Sequence, residues 1–514
     1  MTPRSLGLAF DDWRPKQLDA VFEIASHMPG LVAHSGPTGS GKSLTALGAA
    51  TLRGGRFAYL TATKGLQDQI RADFPHVVDM RGQANYLCDL EKPAKVTSDQ
   101  AVCRFGVQCA LKGSGCAYFA AYRNASANSM TTNYACWLNA YEHGLGFGAF
   151  DTLILDEAHA VPEELSRFYT AEIPDWAFAA YLTREAGVQL RAGELGRSLR
   201  PALEETSRVL KQKQVDTLAE MTKRGRQRSI LRRLKEIDSL LNTVARMAVI
   251  CVDPQNWVLQ PGTAYEPLRI VPVRPSAQAL LRNIPGVLLS SATLTQKTLD
   301  LIGLGAVHWT SAVPAYDRKQ RPIYLIPTAK MRYGMPESER AVLFTRLDQA
   351  IQARKALKGV IHTGSYTLAK EIAERSKHRA YFITHERANA AARIRQFKDM
   401  KGPAILVSPA VTTGWNFPGK ECEWQIIAKV SWPNPNDPVI AARTKLDANY
   451  PGHLAMQSLV QACGRGNRLP TDYCETLVFD DTAERLLRRF RGYAPDWFHE
   501  AVERRAALPA PRRR

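Results

Sequence analysis

The sequence has 514 residues, a hydrophobic share of 45% and a formal net charge of +19 at pH 7. This length is enough for about three domains with sizeable cores. No apolar run reaches 18 residues, which excludes an obvious membrane-spanning helix. The basic balance predicts a polyanionic partner, either nucleic acid or an acidic membrane surface, and charge alone does not choose between them. The first residues lack the apolar core of a signal peptide, so we expect a cytoplasmic protein with no membrane partner.

The first stretch that carries chemistry is residues 36–43, which fit the pattern of a glycine, four residues and Gly-Lys-Ser. In such a phosphate loop backbone N–H groups face the phosphates, the lysine reaches the β- and γ-phosphates, and the serine hydroxyl binds Mg²⁺. Apolar residues 31–33 and 44–47 predict the strand and helix that the motif requires. The candidate nucleotide-binding residues in this loop are Gly36, Thr38, Gly39, Gly41, Lys42 and Ser43.

The rest of the chain alternates strand candidates with helical segments. In the first part, strands are predicted near residues 57–60, 150–155 and 287–294. Residues 162–244 have a helical period and few strand signals, with seven basic residues between Lys223 and Lys235. The proline-containing segment 312–327 is typical of a linker. Beyond it a second parallel α/β domain is predicted, because helical stretches alternate with strand candidates at 359–362, 381–383, 404–407, 425–430 and 476–479.

An acidic pair, Asp156 and Glu157, follows the strand candidate at 150–155. In a nucleotide hydrolase such a pair completes the phosphate site: Asp156 and Ser43 would hold Mg²⁺, and Glu157 would orient or deprotonate the attacking water. Standing alone, the pair would fit a solvated turn better. Its position after a phosphate loop favours a hydrolase.

Four of the nine cysteines, Cys88, Cys103, Cys109 and Cys116, fall within 29 residues and are separated by 14, 5 and 6 residues. In a reducing compartment a cluster of this kind indicates metal ligation more than disulfides. The spacing fits neither the common zinc ribbons nor the tight ferredoxin run, so structural zinc and an iron–sulfur cluster both stay open on spacing alone.

Several strings resemble helicase motifs. Residues 156–159, Asp-Glu-Ala-His, resemble the DEAH box of superfamily-two helicases. Residues 291–293 resemble the family's Ser-Ala-Thr motif, which couples hydrolysis to domain movement, and 461–468 resemble its Gln-x-x-Gly-Arg-x-x-Arg. The residues that flank the cysteines, at 82–88, 115–118 and 131–134, resemble the iron–sulfur insert of the XPD/DinG family. The resemblance covers nearly the whole chain and is weakest at 162–244, where that family has its arch.

The resemblance implies an α/β fold with two RecA-like P-loop motor domains. Motor domain 1 would comprise residues 1–80, 136–161 and 246–311, interrupted by an iron–sulfur insert at 81–135 and a helical arch-like insert at 162–245; motor domain 2 would be 312–514. The implied cofactors are ATP, Mg²⁺ and a 4Fe-4S cluster held by the four clustered cysteines. The implied catalytic residues are Lys42, Asp156, Glu157, His159, Gln461, Arg465 and Arg468, and Gln17 resembles the adenine-reading glutamine. An arginine presented across a cleft would stabilise charge on the transferring phosphoryl group.

By the same resemblance we expect a monomeric, ATP-dependent helicase that moves 5′ to 3′ on single-stranded or forked DNA, as in DNA repair. RNA stays open as a partner. Polar donors to phosphate and an aromatic base platform are expected at Thr61, Thr63, Lys64, Gln67, Thr132, Asn133, Tyr134, Ser365 and Tyr366. Two alternatives remain: an ATPase or translocase that does not separate duplexes, and a binding module switched by ATP. One departure bears on them, because residues 412–419 have Thr413 and Asn416 where the family has a glutamate and an aspartate.

Overall fold

The computed structural model of the chain describes residues 1–90, 95–101, 103, 108–144, 146–182, 199–225, 227–250, 256–260, 267–314, 317–409, 415, 417–467 and 471–512. Thr413, Asn416 and Arg468 lie outside these residues, so the predictions made for them stay predictions.

The strands in chain order are β1 Gly30–Ser35, β2 Phe57–Thr61, β3 Val78–Asp79, β4 Met130–Asn133, β5 Thr152–Asp156, β6 Ala171–Ile173, β7 Trp257–Gln260, β8 Leu268–Pro272, β9 Gly286–Ser291, β10 His308–Ser311, β11 Ile323–Ala329, β12 Gly359–His362, β13 Phe382–Ile383, β14 Ile405–Ser408, β15 Trp424–Ile427, β16 Glu475–Asp480 and β17 Val502–Arg504. The α-helices are Gln17–Ser26, Lys42–Arg53, Lys64–Asp73, Ala117–Ala127, Tyr134–His143, Val161–Tyr169, Asp175–Ala180, Leu199–Arg224, Arg228–Ile250, Gln278–Leu281, Gln296–Asp300, Glu337–Arg354, Tyr366–Arg375, Ala390–Asp399, Pro438–Leu446, Tyr450–Cys463, Thr482–Arg489 and Asp496–His499.

The N-terminal α/β domain is built on a parallel sheet with the strand order β10-β1-β9-β5-β2-β4-β3. The central strands β5, β9 and β2 are buried along their whole length, as expected for a sheet covered on both faces. Because the strands are parallel, their carboxyl ends lie at one edge of the sheet, and ligands bind there in folds of this class. The register places Ser35 of β1 beside Ser291 of β9, and Ser290 beside Asp156 of β5. The phosphate loop and the acidic pair therefore share that edge.

The C-terminal α/β domain has a second parallel sheet, in the order β13-β14-β12-β15-β16-β11-β17. Its strand β11 corrects the sequence interpretation, because the segment predicted as a linker at 312–327 contains most of a strand that lies between β16 and β17. The prolines that indicated a linker are tolerated for local reasons. Pro322 precedes the first strand residue, and Pro327 lies where the pairing with β16 shifts register.

An insertion with its own core separates β5 from β9. The helices Leu199–Arg224 and Arg228–Ile250 pack against each other, and at their base lies an antiparallel sheet in the order β6-β8-β7. A shared hydrophobic cluster joins this sheet to both helices. The second helix passes the expected boundary at residue 245, and β7 and β8 extend the insertion further, to Pro272. The strands β6, β7 and β8 were not predicted, because they are short and lack a clear alternation of apolar and polar residues.

Candidate active site

The predicted phosphate loop connects β1 to the helix Lys42–Arg53. Gly39 and Gly41 adopt left-handed backbone angles, with φ values of 81° and 85°. At Gly41 a side chain would also meet the amide nitrogen of Gln17 at 2.6 Å, so glycine is required there. The first N–H groups of the helix have no helical partner, and together with the helix dipole they favour a bound phosphate.

Two side chains hold the loop in its present shape. Lys42 Nζ donates to two loop carbonyl oxygens, each at 3.0 Å, so its charge lies inside the loop. Gln17 is buried, and its amide nitrogen donates to Gly41 O at 3.0 Å and to Thr45 Oγ1 at 3.1 Å. The structure thus places Gln17 against the loop itself. Its role in reading adenine stays a prediction.

The acidic pair occupies the carboxyl end of β5. Glu157 has a φ of 51°, a conformation that is uncommon outside glycine and that clusters at active sites. Burial and the adjacent Glu157 carboxylate raise the pKa of Asp156 to about 6. Burial alone would also raise the pKa of Glu157, but His159, Lys42 and Arg465 together lower it well below its usual range. Glu157 therefore stays ionised at neutral pH, and Asp156 is the acid that a bound cation would stabilise.

The C-terminal domain supplies groups to the same site. Arg465 is near enough to Glu157 for its charge to lower the pKa of that carboxyl. The adjacent Gly464 lies against the phosphate loop, where a side chain would come within 3.4 Å of Thr38 Oγ1. A small cavity lies between the loop and the C-terminal domain, lined by Pro37, Thr38, Arg321, Ile323, Cys463, Gly464, Asn467 and Trp497. The candidate nucleotide site is thus lined by residues of both domains.

Two glutamines of the helix Tyr450–Cys463 contact the N-terminal domain. Gln461 Nε2 donates to Thr293 Oγ1 at 3.5 Å, and Gln457 Nε2 donates to the carbonyl oxygen of His159 at 3.4 Å. The sequence pointed to Gln461 but missed Gln457. Its spacing of four residues from Gln461, which places both on one helix face, is the signal that could have found it.

Known proteins share the domains and the fold of this chain. Two family models match: the helicase C-terminal domain at residues 347–501, and the type III restriction enzyme, res subunit, at residues 11–181. The fold is similar to an XPD helicase, with a TM-score of 0.62 and 14% identity over 96% of this chain and 99% of that chain. The chain is an ATP-dependent helicase with an XPD-like fold. The helicase has the two α/β domains that the resemblance implied.

Two further structures show the same architecture. An apo XPD structure is similar to the helicase with a TM-score of 0.59 and 14% identity, covering 92% of this chain and 98% of that chain. The Xpd4 protein of S. tokodaii gives a TM-score of 0.56 and 13% identity, covering 96% and 100%. No curated protein sequence matches the chain. Identities this low support the arrangement of the fold, and residue roles rest on the geometry of this chain.

The residues present fit magnesium. Ser43 is the second residue of the helix after the loop, and Asp156 ends β5. The hydroxyl of Tyr59 lies beside both side chains, so the two predicted ligands converge. A hydroxyl and a carboxylate are the oxygen donors that Mg²⁺ takes beside nucleotide phosphates. Burial, followed by the charge of Asp156, raises the pKa of Tyr59 well above its usual range, so this hydroxyl keeps its proton.

The four clustered cysteines lie around one cavity of about 200 Å³, together with Tyr118 and Phe119. Burial raises the pKa of the Cys103 thiol, and Cys109, Cys88 and Cys116 add to this effect in that order, which shows that the four thiols are neighbours. Within the described ranges, however, no group of three or more candidate ligands has the geometry of a metal site. The cysteines converge, but the identity of a bound group stays a proposal.

The predicted nucleic-acid contacts divide into two sets. Thr63, Asn133 and Ser365 each cap a helix by accepting a hydrogen bond from a backbone N–H. Tyr366 is 40% exposed, and Lys64 Nζ donates to Asn85 Oδ1 at 2.8 Å on an exposed surface. These five residues lie at or just after the carboxyl ends of parallel strands, and their contact with nucleic acid stays a prediction.

The other four predicted contacts are buried in this structure, and their role in binding nucleic acid stays a prediction. Gln67 is fully buried, and its amide nitrogen donates to Asp79 Oδ1 at 2.6 Å and to the carbonyl oxygen of Met80 at 2.9 Å. Thr61 and Thr132 are also fully buried. Tyr134 is 1% exposed, and its hydroxyl donates to the carbonyl oxygen of Asp156 at 2.8 Å. Tertiary packing covers the strand ends that carry these four side chains. Gln67 and Tyr134 therefore form hydrogen bonds inside the protein.

None of the helices in the described part of the chain combines the length and apolar character needed to cross a bilayer.

Proposed function

We propose that the helicase hydrolyses ATP in the cleft between its two α/β domains and uses the cycle to move 5′ to 3′ along single-stranded DNA, separating forked duplexes as a monomer. The observation that carries this proposal is the position of Arg465 near Glu157. A hydrolysis site that needs groups from two domains links the chemistry to their relative movement. The polarity rests on the family resemblance.

The chemical roles follow from the charges at the site. Lys42 would exchange its two carbonyl partners for the β- and γ-phosphates, while Ser43 and Asp156 hold the metal. Magnesium, when bound, neutralises charge on the phosphate oxygens. Glu157 would orient or deprotonate the attacking water. Arg465 would stabilise the charge that develops on the transferring phosphoryl group.

We further propose that Cys88, Cys103, Cys109 and Cys116 hold a 4Fe-4S cluster. Support comes from their placement around one cavity and from the flanking strings that resemble the XPD/DinG insert. The thiolates of a four-iron cluster lie further apart than the ligands of one ion. A set of converging thiols that does not meet the geometry of a single-metal site is therefore compatible with a cluster.

A strand-displacement assay tests the proposed function. The substrates are duplexes with a 5′ tail, a 3′ tail and an RNA-containing strand, each measured with ATP and with no nucleotide. Wild-type protein should separate the 5′-tailed DNA duplex only with ATP. The Lys42→Ala variant should lose both ATP hydrolysis and separation, because the phosphate contact is gone.

Each of the other possible outcomes would indicate a different function. Hydrolysis stimulated by single strands without duplex separation would indicate a translocase or an RNA-directed ATPase, according to the strand that stimulates it. ATP-dependent strand binding with negligible turnover would indicate a switched binding module. Full turnover in Lys42→Ala would contradict the assignment of the nucleotide site.

A further inference from the structure

Three exposed aromatic side chains lie at the edge of the C-terminal sheet where its strands end. Tyr366 follows β12, Trp432 follows β15 and Tyr333 follows β11, and they are 40%, 42% and 106% exposed. A side chain on Gly364 would come within 3.3 Å of Ser431 Oγ, so the segments that carry Tyr366 and Trp432 are in contact. Tyr366 is already a predicted contact for nucleic acid, whereas Tyr333 lies outside every motif named above.

Tyr333 lies at the tip of a loop that is fixed on both sides. Before it, Met331 N donates to Asp480 Oδ1 at 3.3 Å. The guanidinium of Arg332 donates two hydrogen bonds to the Glu339 carboxylate, at 2.6 and 2.7 Å, which ties the loop to the helix that follows. A single exposed aromatic residue is ordinary on a protein surface, so its neighbours decide what it can bind.

The helix Thr482–Arg489 begins beside this loop and carries several arginines. Its start is tied to the end of β11, because Asp481 N donates to Ala329 O at 3.0 Å and Asp481 Oδ1 accepts from Thr328 N at 2.9 Å. Four arginines of this helix and of the turn after it are exposed and form no ion pair with any described residue: Arg485, Arg488, Arg489 and Arg491.

The helix itself does not account for this cluster of positive charge. Arg485 and Arg488 lie three residues apart on one helix face, where like charges repel and destabilise a helix. A basic residue in the last turn favours the helix dipole, which explains Arg488 and Arg489 but not Arg485. The acidic neighbour Glu484 pairs instead with Arg504 of β17, at 2.7 Å. A basic surface beside an aromatic ring suits a single nucleic-acid strand, since the charges bind phosphates and the ring stacks on a base.

The strand order of the sheet places this surface within reach of a nucleic-acid strand that contacts Tyr366. In the order β12-β15-β16-β11, β11 lies three spacings from β12, which is about 14 Å at about 4.8 Å per spacing. Trp432, which follows β15, lies on the way. A stacked single strand advances about 3.4 Å per nucleotide, so about four nucleotides cover this distance.

We propose that Tyr333 and the arginines of the helix Thr482–Arg489 form a second single-strand contact on the β11 side of the C-terminal domain. It binds the part of a DNA strand that extends past Tyr366. Tyr333 stacks on a base, while Arg485 and Arg488 bind phosphates. This inference rests on the proposed function. Because the contact lies outside the nucleotide site, it adds affinity for long strands and takes no part in hydrolysis.

The test measures binding of a short single strand of about 6 nucleotides and a long one of about 20 nucleotides at several salt concentrations. Tyr333→Ala should weaken binding of the long strand by about 5-fold, and Tyr333→Phe should restore it, because a phenyl ring also stacks. The double variant Arg485→Gln, Arg488→Gln should flatten the slope of log affinity against log salt concentration by about 1.4 for the long strand only. The control is Arg505→Gln, which should leave both slopes unchanged, because this guanidinium already pairs with Glu503 at 2.7 Å.

The outcomes separate the inference from the proposed function. Wild-type affinities and slopes in all variants would overturn the inference and leave the function standing. Equal losses for the short and the long strand would overturn it as well, since the residues would then belong to the strand path of the motor domains. A melting temperature of Tyr333→Ala well below that of wild type would overturn it by showing a structural role. Wild-type protein that binds neither strand would instead contradict the proposed function.

Discussion

His159 Nδ1 and Ser291 Oγ are 2.6 Å apart, which joins the carboxyl ends of the neighbouring strands β5 and β9. The same ring nitrogen lies 3.2 Å from the Glu157 carboxylate. Thr293, two residues after Ser291, accepts a hydrogen bond from the amide nitrogen of Gln461 in the C-terminal domain. A short series of contacts therefore leads from the Glu157 carboxylate to the helix Tyr450–Cys463, which Arg465 follows.

Replacing Ser291 by alanine should weaken coupling more than nucleotide binding. The substitution removes the bond that holds His159 without touching the phosphate loop. Coupling free energies between sites typically correspond to about 5–150-fold, so we expect DNA stimulation of ATP hydrolysis to fall by about 10-fold while affinity for the ATP analogue is retained. Hydrolysis rates with and without single-stranded DNA measure this.

The adjacent serine offers a matched control. Ser290 is also buried, but its hydroxyl has no hydrogen-bond partner, so Ser290→Ala should behave like wild type. If both variants lost stimulation equally, packing at the end of β9 would explain the effect. If neither did, the bond between His159 and Ser291 would not transmit the state of the nucleotide.

Short sequence motifs predicted much of the candidate nucleotide site. The phosphate loop, the Asp156–Glu157 pair and Arg465 could be found because their chemistry requires particular residue types at fixed spacing. The burial of Gln67 and Tyr134 could not be predicted in this way, since it depends on which strands become neighbours in the sheet. The strand β11 was missed because two prolines indicated a linker and their tolerance depends on register.

The four clustered cysteines predict how much iron the protein contains. Protein purified without oxygen should contain about four irons per chain and show broad visible absorbance, because four thiolates would hold one cluster. Cys103→Ser should lose most of both signals, since the Cys103 thiol is close to the other three. Cys136→Ser is the control, because that cysteine does not line the cavity. One zinc per chain in the wild-type protein would contradict the cluster.

Several of the basic residues between Lys223 and Lys235 already form ion pairs within the protein. Arg224, Arg232 and Arg233 pair with acidic residues of the same helix pair, and Lys235 pairs with Asp99 of the cysteine insert. Lys223 and Arg228 are exposed at the turn between the two helices. If this turn meets DNA, phosphate contacts should involve those two residues.

Salt dependence measures this contact. Each phosphate neutralised on a single strand contributes about 0.7 to the slope of log affinity against log salt concentration. The double variant Lys223→Gln, Arg228→Gln should therefore flatten the slope by about 1.4, while Arg232→Gln, whose guanidinium already pairs with Glu236, should change it little. Equal slopes in all three proteins would show that the run is a solvated helix surface.

Arg443 links the C-terminal domain to the base of the insertion. This buried arginine of the helix Pro438–Leu446 donates to the carbonyl oxygens of Pro272 and Val273, each at 3.0 Å, and to Ser166 Oγ at 2.5 Å. Those three residues lie where the chain enters and leaves the insertion. A fourth bond, to the Tyr450 hydroxyl, keeps the guanidinium in place. All four acceptors are uncharged, so the contact depends on the fork of the guanidinium and not on an ion pair.

Removing this side chain should therefore loosen the base of the insertion. Arg443→Ala should lower the free energy of unfolding by about 3 kcal/mol, because several buried acceptors lose a charged donor. Arg443→Lys should recover only part of the loss, since one ammonium cannot reach acceptors arranged for a fork. Lys445→Ala, an exposed position on the same helix, should stay within about 0.5 kcal/mol of wild type. Chemical unfolding followed by fluorescence measures these changes, and equal stability of Arg443→Ala and Lys445→Ala would show that the contact does not hold the two parts together.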